Sequence, residues 1–266
     1  MLRVNKNNPC YICGRTDGCL ITGDGKAALC SRVKNGAIKL IGEPFGGGWL
    51  HILDEKYVSK PYVAPEYPPI DWTKFADDYY ACGYDSANTF LVELAKEWNV
   101  SLTTLDNLYV GWDGKAYTIP MRDEKGEIIG IHRRFPNGGK CAVSGSKNGL
   151  FYDSHNSVQP ELIIVEGASD CATLLDLGFF AIGRPNCSGG TKYIEEFIEN
   201  NPTIKKTLIV GDNDRVGEDG AWKLFCSINI ASTAVVNPPI EFKDVREWRQ
   251  KDPNIKGTME EWLRKL

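Results

Sequence analysis

Four consecutive apolar residues at positions 162–165 (LIIV) run without a polar break into Glu166 and Gly167. An unbroken run of that length fits a strand buried on both faces, where a half-exposed strand would alternate. Ala172, Leu174, Leu175 and Leu177 then recur at helical spacing, and Gly178 supplies the stop. The device repeats. FFAIG (179–183) predicts a second strand, and Tyr193, Ile194, Phe197 and Ile198 one face of a second helix. TLIV (207–210) predicts a third strand that ends in Asp212-Asn213-Asp214. A helix carrying Trp222, Leu224, Phe225 and Ile228 follows, then TAVVN (233–237) leading toward Lys243-Asp244. Met259, Trp262, Leu263 and Leu266 mark a closing amphipathic helix. Strands alternating with helices predict an α/β unit over 156–266, a parallel sheet with right-handed crossovers and flanking helices.

Upstream the period changes. Phe90, Leu91, Leu94 and Ala95 predict an amphipathic helix over 86–97, and SLTTL (101–105) the start of a short second one. LYVGW, AYTIPMRD, the turn Glu124-Lys125-Gly126-Glu127 and IIGIHRRF predict a small antiparallel sheet, so 71–155 reads as an α+β subdomain. YVSKPYVAPEYPPI (57–70) holds four prolines and no helical period, as an extended linker would. In residues 1–56, LIT (20–22) and KAAL (26–29) flank Gly23-Asp24-Gly25, the pattern of a β-hairpin.

Composition adds limits. A formal charge of −4 over 266 residues excludes a uniformly basic nucleic-acid coat and leaves room only for a local cationic patch. No apolar run approaches the roughly 20 residues that span a bilayer, and MLRVNKNNPC lacks the apolar core of a secretory signal, so a cytoplasmic location without membrane contact is expected. The nine cysteines are an odd number and four are crowded early, which favours metal ligands plus buried thiols over a disulfide framework.

Those four are Cys10, Cys13, Cys19 and Cys30. Thiolates two residues apart on a tight knuckle reach one ion, Gly14 permits the turn, and the hairpin brings Cys30 back to them: a zinc ribbon with a structural Zn2+. Val33 sits where a ribbon's last ligand is expected, so the fourth ligand is Cys19, with His51 in reserve.

A carboxylate at the end of a buried strand is costly unless it serves chemistry. In a parallel sheet Glu166, Asp212 with Asp214, and Asp244 fall on one carboxyl edge, the usual ligand rim of such sheets. Acids gathered there repel one another unless a cation neutralises them, and Mg2+, or Mn2+ in its place, suits oxygen donors and phosphates. Asp170 reads equally as a metal-site acid or as a first-turn acid favoured by the helix dipole. Upstream, Arg133, Arg134, Lys140 and Lys147 alternate with glycine and serine, which fits a phosphate-gripping surface and equally a charged strand edge.

With these residues assembled, the chain resembles the DnaG-type primases and the primase portion of phage primase–helicases. VEGASD through GRPNCSGG and GDND-x2-Gly are similar to the Toprim motifs, in which a Glu and a D-x-D bind Mg2+. IPMRDEKGEIIGIHRRF with Lys140 and SGSKNGLF is similar to the basic stretch preceding Toprim, with Arg122, Arg134 and Lys140 on its basic positions. FKD (242–244) is similar to the late Lys-Asp motif.

The resemblance implies four segments: a zinc ribbon (1–56), the linker (57–70), a basic subdomain (71–155) and a Toprim catalytic domain (156–266). It implies a primase that joins ribonucleoside triphosphates on a single-stranded DNA template. Glu166, Asp212 and Asp214 would hold Mg2+ or Mn2+. Arg134 and Lys140 would act in catalysis, and Asp170, Lys243, Asp244 and Arg122 would contact the cofactor. The region between linker and Toprim is shorter than in bacterial primases and nearer the compact phage form. No P-loop occurs, so any replicative helicase is expected to be a separate partner. Two other readings share parts of the pattern: a Toprim metal-dependent nuclease, and a non-catalytic nucleic-acid-binding replication protein.

Overall fold

The computed structural model describes residues 1–41, 48–53, 70–85, 89–187, 189–230 and 232–266. The chain divides into two compact units, Met1–Tyr67 and Pro68–Leu266. Apart from Ile70, the expected linker lies outside the described residues.

The first unit is a five-stranded sheet of β1 (Leu2–Arg3), β2 (Leu20–Ile21), β3 (Ala27–Cys30), β4 (Lys39–Ile41) and β5 (Gly48–Ile52) in the order β1-β2-β3-β5-β4. The expected hairpin pairs Leu20 with Leu29 and Ile21 with Ala28. Its buried centre is small: Val4, Ile21 and Ala28 beside Cys10, Cys19 and Cys30. A core of that size needs a staple such as a metal.

The second unit opens with α1 (Trp72–Asp85), α2 (Thr89–Trp98) and α3 (Leu102–Asn107), the last capped by the Ser101 hydroxyl. The antiparallel sheet β6 (Gly111–Trp112), β7 (Tyr117–Arg122), β8 (Ile128–Arg134) and β9 (Lys140–Ala142) follows, its strands neighbouring in chain order. Then come β10 (Glu161–Glu166), α4 (Gly167–Asp176), β11 (Ala181–Arg184), α5 (Thr191–Asn200), β12 (Lys206–Val210), α6 (Arg215–Ser227), β13 (Ser232–Val236), α7 (Val245–Lys251) and α8 (Ile255–Lys265). The four later strands form a wholly parallel sheet in the order β11-β10-β12-β13.

The apolar runs are explained by burial on two faces. In β10, Ile163 and Val165 join a core with Leu208, Val210, Trp248, Met259 and Leu263. Leu162 and Ile164 point the other way, onto Ile194, Phe197 and Leu224. The first of these cores also takes in Leu91, Leu94 and Trp98 of α2 and Ile119 and Met121 of β7, so 71–155 and 156–266 share one interior. Leu150 and Phe151 join the sheets, one exchanging backbone hydrogen bonds with Arg122 and the other with Gly183.

Beyond the hairpin strands the first unit adds β1, β4 and β5, and three elements of the second unit also depart from the sequence expectations. α1, α7 and β9 were not anticipated. α1 packs on β6 at backbone distance, because a Cβ on Gly111 would stand 2.4 Å from the Tyr79 carbonyl carbon.

Candidate active site and metal centre

In the first unit the Cys10–Cys13 knuckle forms as expected. The Gly14 N–H donates to the Cys10 carbonyl, and Gly14 takes the positive φ (69°) that aims both thiols inward. The Sγ atoms of Cys13 and Cys19 are 3.7 Å apart and those of Cys19 and Cys30 3.9 Å. All four lie within 4.8 Å of one another. A tetrahedron with Zn–S bonds of about 2.3 Å has edges of about 3.8 Å, so the donor set fits Zn2+.

The fourth candidate donor in the group is Cys19 and not His51. His51 is buried and its Nε2 donates to the Val33 carbonyl at 2.9 Å instead. The Val33 N–H in turn donates to Cys30 Sγ at 3.3 Å, so the place where a ligand was expected supplies a hydrogen bond to one. Burial pushes the Cys10 thiol up to about 11. Cys13 feels burial too, but hydrogen bonds from the Arg15 backbone and the other thiols bring it down to about 7.

In the second unit the carboxyl ends of β10 and β12 are adjacent and carry the expected acids. Glu166 is in register with Arg184 on β11, whose Nη2 lies 3.4 Å from Glu166 Oε1. Arg184 is 1% exposed, and its Nη1 donates to the carbonyls of Cys187 and Gly220. Burial raises the Glu166 carboxyl above its usual range, Arg184 opposes the rise, and Asp214 adds to it.

Asp212 is pushed up to about 7, by burial and then by Glu166 and Asp244, with Lys243 opposing. Among the described residues no donor reaches its carboxylate. Gly217 lets the first turn of α6 press onto it, since a Cβ there would stand 2.8 Å from that of Asp212. Asp214 caps α6, its Oδ1 accepting from the N–H groups of Val216 and Gly217. Asp244 caps α7 through the Glu247 N–H.

Asp170 belongs with these acids and is more than a first-turn acid. It is buried, and burial with Asp244 and Asp212 raises it well above the carboxylate range. Its Oδ1 accepts the Arg246 N–H at 2.9 Å and so ties α4 to α7.

Cations face this edge. Lys140 is pushed down by withdrawal from water and by Arg134, Arg246 and Lys243, and is sustained by Asp170. Arg134 pairs with Glu97 of α2 and stacks over Trp98, 5.7 Å from the ring centroid. Arg246 reaches the same Glu97 at 3.9 Å and Asp244 at 3.8 Å. Arg122 stands apart: it is buried under the β7–β8 turn, where Nη1 donates to the Gly126 carbonyl at 2.9 Å.

Sequence reasoning passed over Arg184, Arg246 and Glu97. Arg184 did carry a signal, as a cation ending the short apolar run next to that of Glu166.

Among the described residues the four cysteines are the group of three or more His, Cys, Asp or Glu whose ligand atoms lie within 4.8 Å. The carboxylates are spread more widely. Their donor atoms are the hard oxygens that a cation such as Mg2+ prefers.

No protein-family model matches the chain. It is 24% identical over 185 residues to a DNA primase of Chlamydia muridarum (strain MoPn / Nigg), an alignment covering 60% of this chain and 30% of that protein. A DNA primase of Chlamydia trachomatis serovar D is 24% identical over 173 residues, so the chain spans about three tenths of the length of these relatives. Among solved structures, the DnaG catalytic core superposes with a TM-score of 0.58 at 15% identity, covering 71% of this chain and 78% of that one. The primase fragment of the bacteriophage T7 primase–helicase protein superposes with a TM-score of 0.52 at 15% identity over 99% of both chains. The fold is that of the DnaG and phage primase catalytic domains: a Toprim-like parallel sheet with flanking helices, with antiparallel sheets and a four-cysteine cluster of zinc-ribbon type.

Proposed function

We propose that the chain is a primase that joins ribonucleotides into short primers on single-stranded DNA. The observation that carries this reading is the carboxyl edge of the parallel sheet, where Glu166, Asp212 and Asp214 meet a bank of cations. Acids alone suit many metal enzymes. Acids at the end of one sheet, opposed by Arg134, Lys140, Lys243 and Arg246, suit a triphosphate lying between them.

Glu166, Asp212 and Asp214 would hold Mg2+ or Mn2+, which when bound supplies charge neutralisation for the triphosphate. Arg184 braces Glu166 from within the sheet, so that this carboxylate keeps its orientation. Asp214 commits Oδ1 to the α6 cap, which leaves Oδ2 as the oxygen it would give to the cation. Lys243 opposes the charge of both Glu166 and Asp212, which supports its ammonium as a partner for phosphate oxygens arriving there. Lys140 and Arg246 extend the cationic bank past Asp170. Arg134 enters it partly neutralised by Glu97.

The cysteine cluster would be a structural Zn2+ site, and the unit that contains it would contact the template. The likeness to a fragment of a phage primase–helicase supports a replicative helicase as a further partner. The nuclease reading has less support, because a bank of cations beside the acids serves an incoming triphosphate better than a scissile strand alone.

Incubating the full chain with single-stranded DNA, labelled ribonucleoside triphosphates and Mg2+ or Mn2+ tests the reading. Short labelled oligoribonucleotides are expected, and Asp212→Asn should abolish them. Cleavage of the DNA with no ribonucleotide incorporation would replace the primase by the nuclease.

A further inference from the structure

The last paired residues of β12 and β13 are Val210 and Val236, followed by one more backbone bond from the Gly211 N–H to the Val236 carbonyl. Beyond that point the two chains continue as loops, and one of them contains Pro238 and Pro239, which have no N–H to give. Side chains take over where the ladder stops. Asn237 Nδ2 donates to the carbonyls of Gly211 (3.3 Å) and Asp212 (3.2 Å). In return Asn213 Nδ2 donates to the carbonyls of Pro238 (2.9 Å), Pro239 (3.0 Å) and Phe242 (2.6 Å). The Asn213 N–H completes the tie at the Lys243 carbonyl, 2.8 Å away.

We infer that Asn213 and Asn237 are positioning residues: a reciprocal amide lock that fixes Lys243 and Asp244 against the acidic edge and so shapes the triphosphate site. This inference rests on the proposed function for the identity of the ligand, and on the hydrogen bonds for the lock itself.

The chemistry of the position is specific. One amide faces three carbonyl oxygens with two N–H bonds, one of them shared between two acceptors; a carboxylate of the same shape would offer only repulsion. The lock also sits at the right point in the chain. On one side of Asn213 is Asp212 and on the other Asp214, which caps α6. The far end of the tied loop is Lys243, directly before the Asp244 cap of α7. α7 in turn gives its Arg246 N–H to Asp170. Releasing Asn213 therefore frees Lys243, whose ammonium is the cation that opposes the charge of both Glu166 and Asp212.

The amides of 242–247 report on the lock without any activity. Those of Phe242, Lys243, Arg246 and Glu247 are hydrogen-bonded to Pro239, Glu247, Asp170 and Asp244.

The test uses the full chain as wild type, Asn213→Ala, Asn213→Asp, Asn237→Ala, Lys243→Ala and the double variant Asn213→Ala/Lys243→Ala. Hydrogen exchange should quicken at 242–247 in each asparagine variant and stay unchanged in β7 and β8. Asn213→Asp should exceed Asn213→Ala. Affinity for Mn2+–ATP, measured by equilibrium binding, should fall about tenfold in Asn213→Ala and in Lys243→Ala, and the double variant should be no weaker than Lys243→Ala, as for two residues acting through one contact. In primer synthesis the loss should appear in KM rather than kcat.

Unchanged exchange at 242–247 would overturn the lock. Additive losses in the double variant would overturn its action through Lys243. If the wild type bound nucleotide but made no oligoribonucleotide, the proposed function would fall while the exchange and binding results still judged the lock.

Discussion

Asp176 shows how much one carboxylate can organise away from the acidic edge. Burial opposes its ionisation, but hydrogen bonds from Ser101, Thr104 and Arg249 outweigh that and hold it down to about 2. It thereby joins α4 to the start of α3 and to α7, at 11% side-chain exposure. The folded pKa is below the unfolded value, so its contribution of about 1–2 kcal/mol is fully present above about pH 4 and is lost as pH falls toward 2. Asp176→Asn should lower stability to denaturant by about that amount at pH 7, with the difference shrinking at pH 3. Asp212 has the opposite sign. Its folded pKa is raised to about 7, so in chelator its ionisation opposes folding increasingly as pH rises from about 4 to about 7, and by a constant amount above that. Asp212→Asn should therefore melt higher than wild type at pH 8 in chelator, by a margin that closes only below about pH 4. At this scale Glu166, Asp212, Asp214 and the four cysteines were legible, because each stands at the end of an apolar run or in a ligand spacing. Arg246 and Glu97 were not, because a surface-like charge on a helix acquires its meaning only from partners 149 positions apart in the chain.

The elements divide in the same way. The strands and helices of 156–266 were readable because a buried parallel sheet needs unbroken apolar runs, and helices on its faces need one apolar stripe each. α1 escaped because its sequence, WTKFADDYYACGYD, spreads aromatic and acidic residues around the helix, and tertiary contacts rather than a stripe fix it. Phe75 remains exposed, while Tyr80 and Tyr84 direct their hydroxyls to Asp106. The approach of α1 to β6 depends on Gly111, where a methyl group would meet the Tyr79 backbone at 2.4 Å. Gly111→Ala should cost about 1–3 kcal/mol by overpacking, read from denaturant midpoints, since backbone cannot yield as a side chain does. α7 escaped because seven residues are too few for periodicity to show. Its start depends on the Asp244 cap and on Asp170, the second of these from a distant part of the chain.

At the scale of the whole molecule the two units rest on different sources of stability. Met1–Tyr67 has a small core gathered around four thiols, so a strong chelator should unfold it. Pro68–Leu266 has an interior shared by both its sheets, and its ellipticity and melting transition should persist in the same solution. Loss of both units together would contradict a Zn2+ role confined to the first. Among the described residues no helix is long and apolar enough to cross a membrane. The zinc-ribbon expectation was legible from spacing alone, whereas the choice of Cys19 over His51 needed the sheet, which directs His51 to the Val33 carbonyl. The single interior of 71–155 and 156–266 was hidden because Leu150 and Phe151 join the sheets by backbone bonds that no side-chain pattern announces. The central claim is template-directed ribonucleotide joining at the acidic edge, and sequencing the products made on single-stranded DNA of randomised sequence tests it most directly. Short oligoribonucleotides complementary to their templates, absent with Asp212→Asn, are the predicted result. Products unrelated to the template, or none from protein loaded with Zn2+ and Mg2+ or Mn2+, would contradict it.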